Sequence, residues 1–266
     1  MNIIVCVKQV LDPEIPFGRL EVDPIAQQVV APKGIRQIIN PYDVRAVELA
    51  LRLKEKHGGK ITILSLGDPS WVVSVKHALS MGADDGVIVA DPAFEGTDTF
   101  GIAYLLSKAI QKIGNYHLIL CGRQSADWEE GLVGTIIAEN LLLPLVTVAQ
   151  DIEVIEQELK VKQVTLDGHR IFMIPLPAVV TVSQEVGRPR LPSGWGIINA
   201  SKKQVPVWDA KVIGMDPSQA GMRAGRRELI KLSVSERSRK CEIIQGKSGA
   251  EAGTKLAERL REAGIL

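Results

Sequence analysis

Residues 118–139 read LILCGRQSADWEEGLVGTIIAE and carry the clearest structural pattern in the chain. An apolar run ends at Cys121-Gly122, a polar loop with a second glycine at Gly131 follows, and a helical pattern begins at Val133. A buried parallel strand, a turn that contains glycine and a helix N-terminus produce this order, and such a turn can hold an anion. The loop matches neither G-x-G-x-x-G nor a Walker loop, so a plain glycine turn is an equally weighted alternative.

The same alternation of strand and helix patterns extends through the first half of the chain. Apolar β-branched runs predict five strands, at 2–7, 60–66, 86–90, 116–121 and 145–148. Helical patterns lie between them, at 42–57, 71–81, 97–113 and 129–142. This order predicts an α/β fold in which a five-stranded parallel sheet has helices on both faces. A polar insertion at 17–30 predicts a small hairpin.

The pattern changes after Gln150. Strand-like segments predict an antiparallel β extension of the same domain, at 151–155, 159–165, 170–174 and 178–182. From 187 to 227 no helical or strand period is evident, which predicts a long arm, and 247–263 predicts an amphipathic helix. We therefore predict an α/β nucleotide-binding domain over 1–186, followed by a partner-binding loop, an arm and a C-terminal helix over 187–266.

Composition argues against several classes of protein. The net charge of +1 and the 4% aromatic content do not favour binding to nucleic acid. The three cysteines, Cys6, Cys121 and Cys241, are odd in number and far apart, which is typical of free thiols in a reducing compartment. The N-terminal sequence lacks the pattern of a signal peptide, and no segment has the apolar length of a membrane span. We expect a cytoplasmic protein without direct membrane insertion.

No catalytic constellation or metal site is predicted. The four histidines lie apart in different elements and beside no plausible nucleophile: His57, His77, His117 and His169. Asp127, Glu129 and Glu130 precede a helical pattern, where carboxylates are stabilised by the helix dipole. The sequence therefore favours a protein without substrate chemistry of its own.

A second candidate site is Asn40-Pro41-Tyr42-Asp43. Asn40 suits a helix N-cap and Pro41 the first helical turn, so a capping role is the likelier interpretation on its own. The same helix end can also face a ligand, because ligands of open α/β sheets sit beyond the carboxyl ends of the strands. The predicted strands end there at Cys6, Leu66, Ala90 and Cys121.

Several segments, in this order, make the chain similar to the β subunit of electron transfer flavoproteins. They are Val7-Lys8-Gln9-Val10, Ile39-Asn40-Pro41, AVELALRLKEK at 46–56, ALSMGAD at 78–84, LILCGRQSAD at 118–127, LPAVVTV at 176–182, Arg188-Pro189-Arg190, Lys202-Lys203 and Cys241-Glu242-Ile243-Ile244. The resemblance covers essentially the whole chain. It implies an adenine-nucleotide α-hydrolase-like fold and the β subunit of a heterodimer that passes electrons from flavin dehydrogenases, such as an acyl-CoA dehydrogenase, to an acceptor such as a membrane quinone reductase.

The resemblance also implies cofactors and site residues. An electron transfer flavoprotein α subunit would hold the redox-active FAD, and this chain would hold AMP or a second FAD. The residues implied for this nucleotide are Cys6, Asn40, Pro41, Tyr42, Asp43, Leu66, Gly122, Arg123, Gln124, Ser125, Ala126, Asp127, Gly131, Leu132 and Val133. The residues implied for docking a dehydrogenase are Pro189, Arg190, Gly194, Trp195, Ile197, Lys202 and Lys203.

The chain departs from the family pattern in two places. Trp128-Glu129-Glu130-Gly131-Leu132-Val133 lacks the Gly-Asp-Thr run of bifurcating members, and its carboxylates are expected to weaken anion binding by charge repulsion. At the docking segment, Gly194 stands where relatives have a leucine anchor, and Trp195 is the expected replacement. Two alternatives stay open: a bifurcating subunit whose own FAD oxidises NADH, and a nucleotide-binding module without redox function.

Overall fold

The computed structural model describes residues 1–15, 21–23, 25, 28–30, 34–215, 221, 225–234 and 241–266. The chain forms two compact units, Met1–Lys231 and Leu232–Leu266, and each is described by itself. The functional division that we predict at Gly187 stays a prediction.

Within the described residues, the first unit contains the strands and the first five helices. In chain order its strands are β1 (Asn2–Val7), β2 (Gln9–Leu11), β3 (Glu21–Asp23), β4 (Gln28–Val30), β5 (Gln37–Ile39), β6 (Lys60–Leu66), β7 (Asp85–Val89), β8 (Leu118–Gly122), β9 (Leu145–Ile155), β10 (Glu158–Thr165), β11 (Gly168–Pro175), β12 (Ala178–Val182) and β13 (Val207–Trp208). Its helices are α1 (Pro41–His57), α2 (Val72–Met81), α3 (Thr99–Ile113), α4 (Val133–Leu141) and α5 (Gly194–Lys202).

A nine-stranded sheet forms the centre of this unit, in the order β11-β10-β9-β12-β8-β1-β6-β7-β13. The neighbours in the series β9-β12-β8-β1-β6-β7-β13 pair in parallel. The neighbours in the series β11-β10-β9 pair antiparallel. Helices α1 and α2 pack on one face of the sheet, and α3 and α4 pack on the other. The predicted α/β class, with helices on both faces and an antiparallel extension, is confirmed. In the described part of the chain the parallel portion has seven strands rather than the predicted five, because β12 and β13 join it.

One strand was predicted on the wrong part of the sheet. We expected 178–182 in the antiparallel extension, but β12 lies between β8 and β9 and pairs in parallel with both. All five residues of its sequence AVVTV are buried. A strand that is buried on both faces reads as a continuous apolar run, which is the signature of a central parallel strand rather than of a half-solvated one.

The predicted arm after Gly187 is also partly wrong. Residues 194–202 form α5, which begins where the Ser193 hydroxyl accepts a hydrogen bond from the Gly196 N–H at 3.0 Å. Residues 207–208 form β13, the edge strand beside β7. Both elements are short and depend on packing against the sheet and α2, so their own sequence carries little periodic signal.

Two other predictions concern the ends of the chain. Strands β3 and β4 pair antiparallel, which confirms the predicted hairpin, although residues 16–20 lie outside the described part. The second unit contains α6 (Gly249–Glu262), whose N-terminus is capped by Ser248, so the predicted C-terminal helix is confirmed. No helix in the described part of the chain is long and apolar enough to cross a lipid bilayer.

Candidate functional site

The carboxyl ends of the parallel strands bring the residues of the predicted nucleotide site to one edge of the sheet. Cys6 on β1 and Cys121 on β8 are register partners, and both thiols are buried. The hydrogen bond with Cys6 and burial together raise the pKa of the Cys121 thiol. Leu66 ends β6, the neighbour of β1 on its other side. The Cys121 thiol is therefore a protonated packing group of the edge rather than a nucleophile.

Asn40 connects α1 to the loop that follows β8. Its side-chain Nδ2 donates to the Gln124 carbonyl at 2.9 Å, and its Oδ1 accepts from the Ala126 N–H at 3.1 Å. Asn40 is the N-cap residue of α1 and Pro41 lies in its first turn, as predicted, and the Asn40 carbonyl accepts from the N–H groups of Asp43 and Val44. The Asn40 side chain, however, makes no capping hydrogen bond. The buried carboxamide instead fixes the conformation of the loop.

Asp43 binds two strand ends at once. Its Oδ2 accepts from the Lys8 N–H at 2.8 Å, and its Oδ1 accepts from the Gly122 N–H at 3.0 Å. Burial raises the pKa of Asp43 from its usual 3.8 to about 7, although both N–H groups, Asn40 and the charge of Lys8 act in the opposite direction. The carboxyl group therefore connects the ends of β1 and β8 to the first turn of α1.

Glycine is required at position 122 for this contact. A Cβ added there would lie 2.4 Å from Asp43 Oδ1 and 2.7 Å from Tyr42 Cβ. The next residue, Arg123, donates its backbone N–H to the Val182 carbonyl at 2.9 Å and holds its guanidinium 5.8 Å from the centre of the Tyr42 ring. The loop thus leaves the sheet in close contact with α1 on one side and with β12 on the other.

The second half of the loop turns into α4. Glu129 and Gly131 have positive φ angles of 54° and 66°. The predicted helical segment at 129–142 therefore begins too early, and α4 begins at Val133, where the sequence pattern of the loop places the helix start. The first bond of the helix runs from the Ile136 N–H to the Leu132 carbonyl at 3.0 Å. The N–H groups of Val133 and its two successors precede that bond and have no acceptor within the helix, as at any helix N-terminus.

Helix α4 also lies very close to the sheet. A Cβ at Gly134 would lie 2.6 Å from Thr181 Cγ2. The N–H groups at the start of α4, the close approach that glycine allows and the Arg123 side chain are the groups here that could bind a phosphate.

Two of the three carboxylates of the loop, those of Asp127 and Glu130, form ion pairs. Lys8 Nζ lies 2.6 Å from Asp127 Oδ2. Glu130 accepts at Oε1 from Arg227 Nη1 at 2.6 Å and at Oε2 from the Thr99 hydroxyl. The repulsion that we expected from Glu130 is therefore offset by the positive charge of Arg227. Sequence reasoning missed Arg227, because no local pattern signals a contact between residues 97 positions apart.

The segment that carries Arg227 is fastened to the N-terminus of α3. The backbone N–H groups of Arg226 and Arg227 both donate to Asp98 Oδ2, at 2.6 and 3.0 Å. The Arg226 guanidinium lies 5.2 Å from the centre of the Phe100 ring, and the Gly221 N–H donates to Thr97 Oγ1. This part of the predicted arm therefore belongs to the edge of the sheet that holds the loop.

The predicted docking residues lie on α5 and in the segments directly before and after it. Trp195 is 71% exposed and Ile197 is 56% exposed, beside the exposed Leu191 and Ile198. Gly194 begins α5, and Lys202 ends it; Pro189 precedes the helix. Two of the predicted cations are used within the chain: Arg190 pairs with carboxylates of α1, and Lys203 Nζ donates to the Ala83 and Asp84 carbonyls.

Comparison with known proteins gives one family throughout. The model of the electron transfer flavoprotein domain matches residues 27–213. The chain is 36% identical to the electron transfer flavoprotein subunit beta of Thermoanaerobacterium thermosaccharolyticum, over all of both chains. It is 30% identical to the caffeyl-CoA reductase-Etf complex subunit CarD of Acetobacterium woodii, again over all of both chains. It is 35% identical to the acryloyl-CoA reductase electron transfer subunit gamma of Anaerotignum propionicum, over 82% of this chain and 80% of that one.

Proposed function

The chain belongs to the electron transfer flavoprotein family, and we propose that it is the β subunit of a heterodimer that passes electrons from a flavin-dependent dehydrogenase to a downstream acceptor. The observation that carries the proposal is the similarity over the whole chain to subunits named for electron transfer. Electron transfer needs proximity and orientation of the redox centres, and it needs no acid or base on this chain.

We assign the redox-active FAD mainly to the α subunit. When bound, FAD supplies the ring that accepts and releases electrons. The role of this chain is then to bind its partner and to hold the flavin-bearing subunit near a dehydrogenase. We place the complex in the cytoplasm, and we take a membrane quinone reductase as the type of acceptor.

We assign AMP to the edge of the sheet in this chain. The loop from Gly122 to Val133 and the N-terminus of α4 would hold the phosphate, with Arg123 as the nearest cation of the loop. Asn40 and Asp43 would act by fixing the loop, because their side chains already bind backbone groups there. We prefer AMP to a second FAD because the Gly-Asp-Thr run of bifurcating members is missing from residues 128–133.

We assign dehydrogenase docking to the exposed apolar side chains of α5 and the residues before it. Trp195, Ile197 and Ile198 lie on this helix, and Leu191 precedes it. Aromatic side chains in the centre of an apolar patch are typical hot spots of protein interfaces. Two relatives are named as parts of reductase systems for CoA esters, so we take a flavin-dependent acyl-CoA dehydrogenase as the class of partner.

The test is a cofactor count on the intact complex. The chain is co-expressed with its α subunit, the pure heterodimer is denatured, and released FAD and AMP are quantified by chromatography. One FAD and one AMP per heterodimer support the proposal. Two FAD without AMP would indicate the bifurcating alternative, and a chain that co-purifies with no flavoprotein would indicate a nucleotide-binding module without redox function.

A further inference from the structure

We propose that Glu48, in the middle of α1, is a positioning residue for dehydrogenase docking, because it holds the segment from Val186 to Arg190 that leads into α5. The inference rests on the proposed docking role of α5. It adds a residue outside both the exposed apolar docking side chains and the proposed nucleotide site.

The Glu48 carboxylate is buried and accepts hydrogen bonds from two arginines. Glu48 as a whole residue is only 4% exposed. Arg190 donates to Glu48 Oε2 from its backbone N–H at 3.1 Å and from Nε at 2.8 Å, and its Nη2 lies 3.4 Å from Oε1. A single carboxylate therefore fixes both the backbone and the guanidinium of Arg190.

Arg52, one turn further along α1, holds the other end of the same segment. Its Nε donates to Glu48 Oε1 at 2.8 Å, and its Nη1 donates to the Val186 carbonyl at 3.2 Å. Glu48 thus binds Arg190 directly and Val186 through Arg52. The three residues between the two contacts, 187–189, have both ends attached to α1.

The charge of Glu48 persists in the folded protein. Burial acts to raise the pKa of Glu48, but the hydrogen bonds from Arg190 and Arg52 outweigh it and lower the pKa below its usual range. Replacing the carboxylate by a neutral amide would leave one acceptor oxygen for two arginines, which would loosen the segment.

The inner side of α5 is fixed as well, so that its outer side has a defined direction. A Cβ at Gly196 would lie 2.2 Å from the Ser80 carbonyl oxygen, which shows how closely α5 lies on the end of α2. Lys76 Nζ donates to the Ser201 carbonyl at 3.0 Å, and Lys203 Nζ donates to the Ala83 carbonyl at 3.0 Å. The contacts of Glu48 complete this attachment on the N-terminal side of α5.

A docking helix that is already in place when the partner arrives loses less conformational entropy on binding. Loss of the Glu48 contacts should therefore weaken docking without changing the electron-transfer step inside the docked complex. In kinetic terms, such a change raises KM and leaves kcat unchanged.

The test uses the intact heterodimer as the electron acceptor of a purified acyl-CoA dehydrogenase that is supplied with its CoA-ester substrate. Initial rates of flavin reduction are measured against heterodimer concentration for the wild type, Glu48→Gln, Trp195→Ala and the double variant. The matched control is Glu55→Gln, since Glu55 also binds Arg190 but is exposed. Flavin content and melting temperature are measured for every variant.

We expect Glu48→Gln to raise KM about tenfold, which corresponds to about 1.4 kcal/mol, with kcat and flavin content unchanged. Glu55→Gln should change KM by less than about twofold, as exposed ion pairs do. The double variant should have the KM of Trp195→Ala, because Glu48 acts through the same docking surface. If Glu48→Gln does not fold, Arg52→Lys, which keeps the charge but loses the planar fork that binds both Glu48 and the Val186 carbonyl, should also raise KM.

Two results would overturn the proposal. An unchanged KM in Glu48→Gln, or an equal further rise when it is added to Trp195→Ala, would exclude a role through α5 while leaving the docking function intact. A wild-type heterodimer that accepts electrons without saturation would contradict the docking function itself, and the positioning role would fall with it.

Discussion

The Gly122 N–H donates to Asp43 Oδ1 at 3.0 Å, and a Cβ at position 122 would lie 2.4 Å from the same oxygen. The hydrogen bond therefore exists only because residue 122 has no side chain. Since Asp43 also accepts from the Lys8 N–H, this contact joins β8, β1 and α1 at the edge of the sheet.

Replacing Gly122 by alanine should separate these three elements. We expect Gly122→Ala to lower the free energy of unfolding of the heterodimer by about 1–3 kcal/mol, the usual cost of overpacking, and to release the bound nucleotide. Chemical denaturation and the nucleotide count measure the two effects. The control is Gly253→Ala in α6, where no atom lies within 4 Å of the added Cβ and alanine should be neutral or slightly stabilising.

Asp43 should give the complex a pH-dependent stability. Because its pKa is raised from 3.8 to about 7 in the folded state, the folded protein binds more protons than the unfolded one between these values. The contribution of Asp43 to stability is therefore fully present below about pH 4, is lost as pH rises through 7, and amounts to at most about 4 kcal/mol.

The measurement for Asp43 is the difference in free energy of unfolding between wild type and Asp43→Asn from pH 4.5 to 8.5. The free energy of unfolding of the wild type minus that of Asp43→Asn should decrease as pH rises to about 7 and stay constant above it. A difference that does not change with pH over this range would show that Asp43 is ionised throughout.

The ion pair between Arg227 and Glu130 should govern binding of the nucleotide phosphate. Arg227→Gln leaves the Glu130 carboxylate uncompensated beside the N-terminus of α4, and we expect the affinity for AMP to fall about threefold to fivefold, as for a partly exposed ion pair. Isothermal titration of the nucleotide-free heterodimer with AMP checks this. Adenosine is the control ligand, because it has no phosphate and its affinity should not change.

The double variant Glu130→Gln/Arg227→Gln sharpens that experiment. Removing both charges should return the AMP affinity to within about twofold of the wild type, since the repulsion is gone with the carboxylate. If the double variant binds AMP as weakly as Arg227→Gln, Arg227 acts by itself and not by neutralising Glu130.

The two buried thiols should be unreactive. Cys6 and Cys121 are buried, and the pKa of Cys121 is raised, so neither should react with a disulfide reagent at pH 8 until denaturant is added. Cys241 is exposed in the chain, and the variant Cys241→Ser should remove the fast-reacting thiol of this subunit. Mass spectrometry of labelled peptides assigns each thiol.

The sequence was sufficient to predict secondary structure where a segment has its own periodic pattern of apolar residues. The alternation of strands and helices around residues 118–139 correctly predicted the α/β class, the strand β8 and the helix α4. It failed for β12, whose pairing partners are set by topology, and for α5, which is too short to form without the surface of α2.

In the candidate site, too, features with a local sequence pattern were predicted and features that depend on tertiary contacts were not. Asn40 and Asp43 were predicted because they stand at a recognisable helix start, and the structure brings both to the loop after β8. Their action on the loop backbone could not be predicted, because it depends on which strand lies beside α1. Arg227 and Glu48 were missed for a related reason: a charge pair between distant positions has no local pattern. The ligand contacts of the site residues stay predictions.

The position of β12 has a consequence for how the chain matures on the ribosome. Until residue 182 emerges, the edge of β8 has no neighbour on that side, and the Arg123 N–H lacks the Val182 carbonyl that it binds in the finished protein. An incomplete chain would therefore present an open strand edge, which is a site for wrong pairing with other chains. We expect the nucleotide loop to acquire its final form only late in synthesis, after some two thirds of the polypeptide has been made.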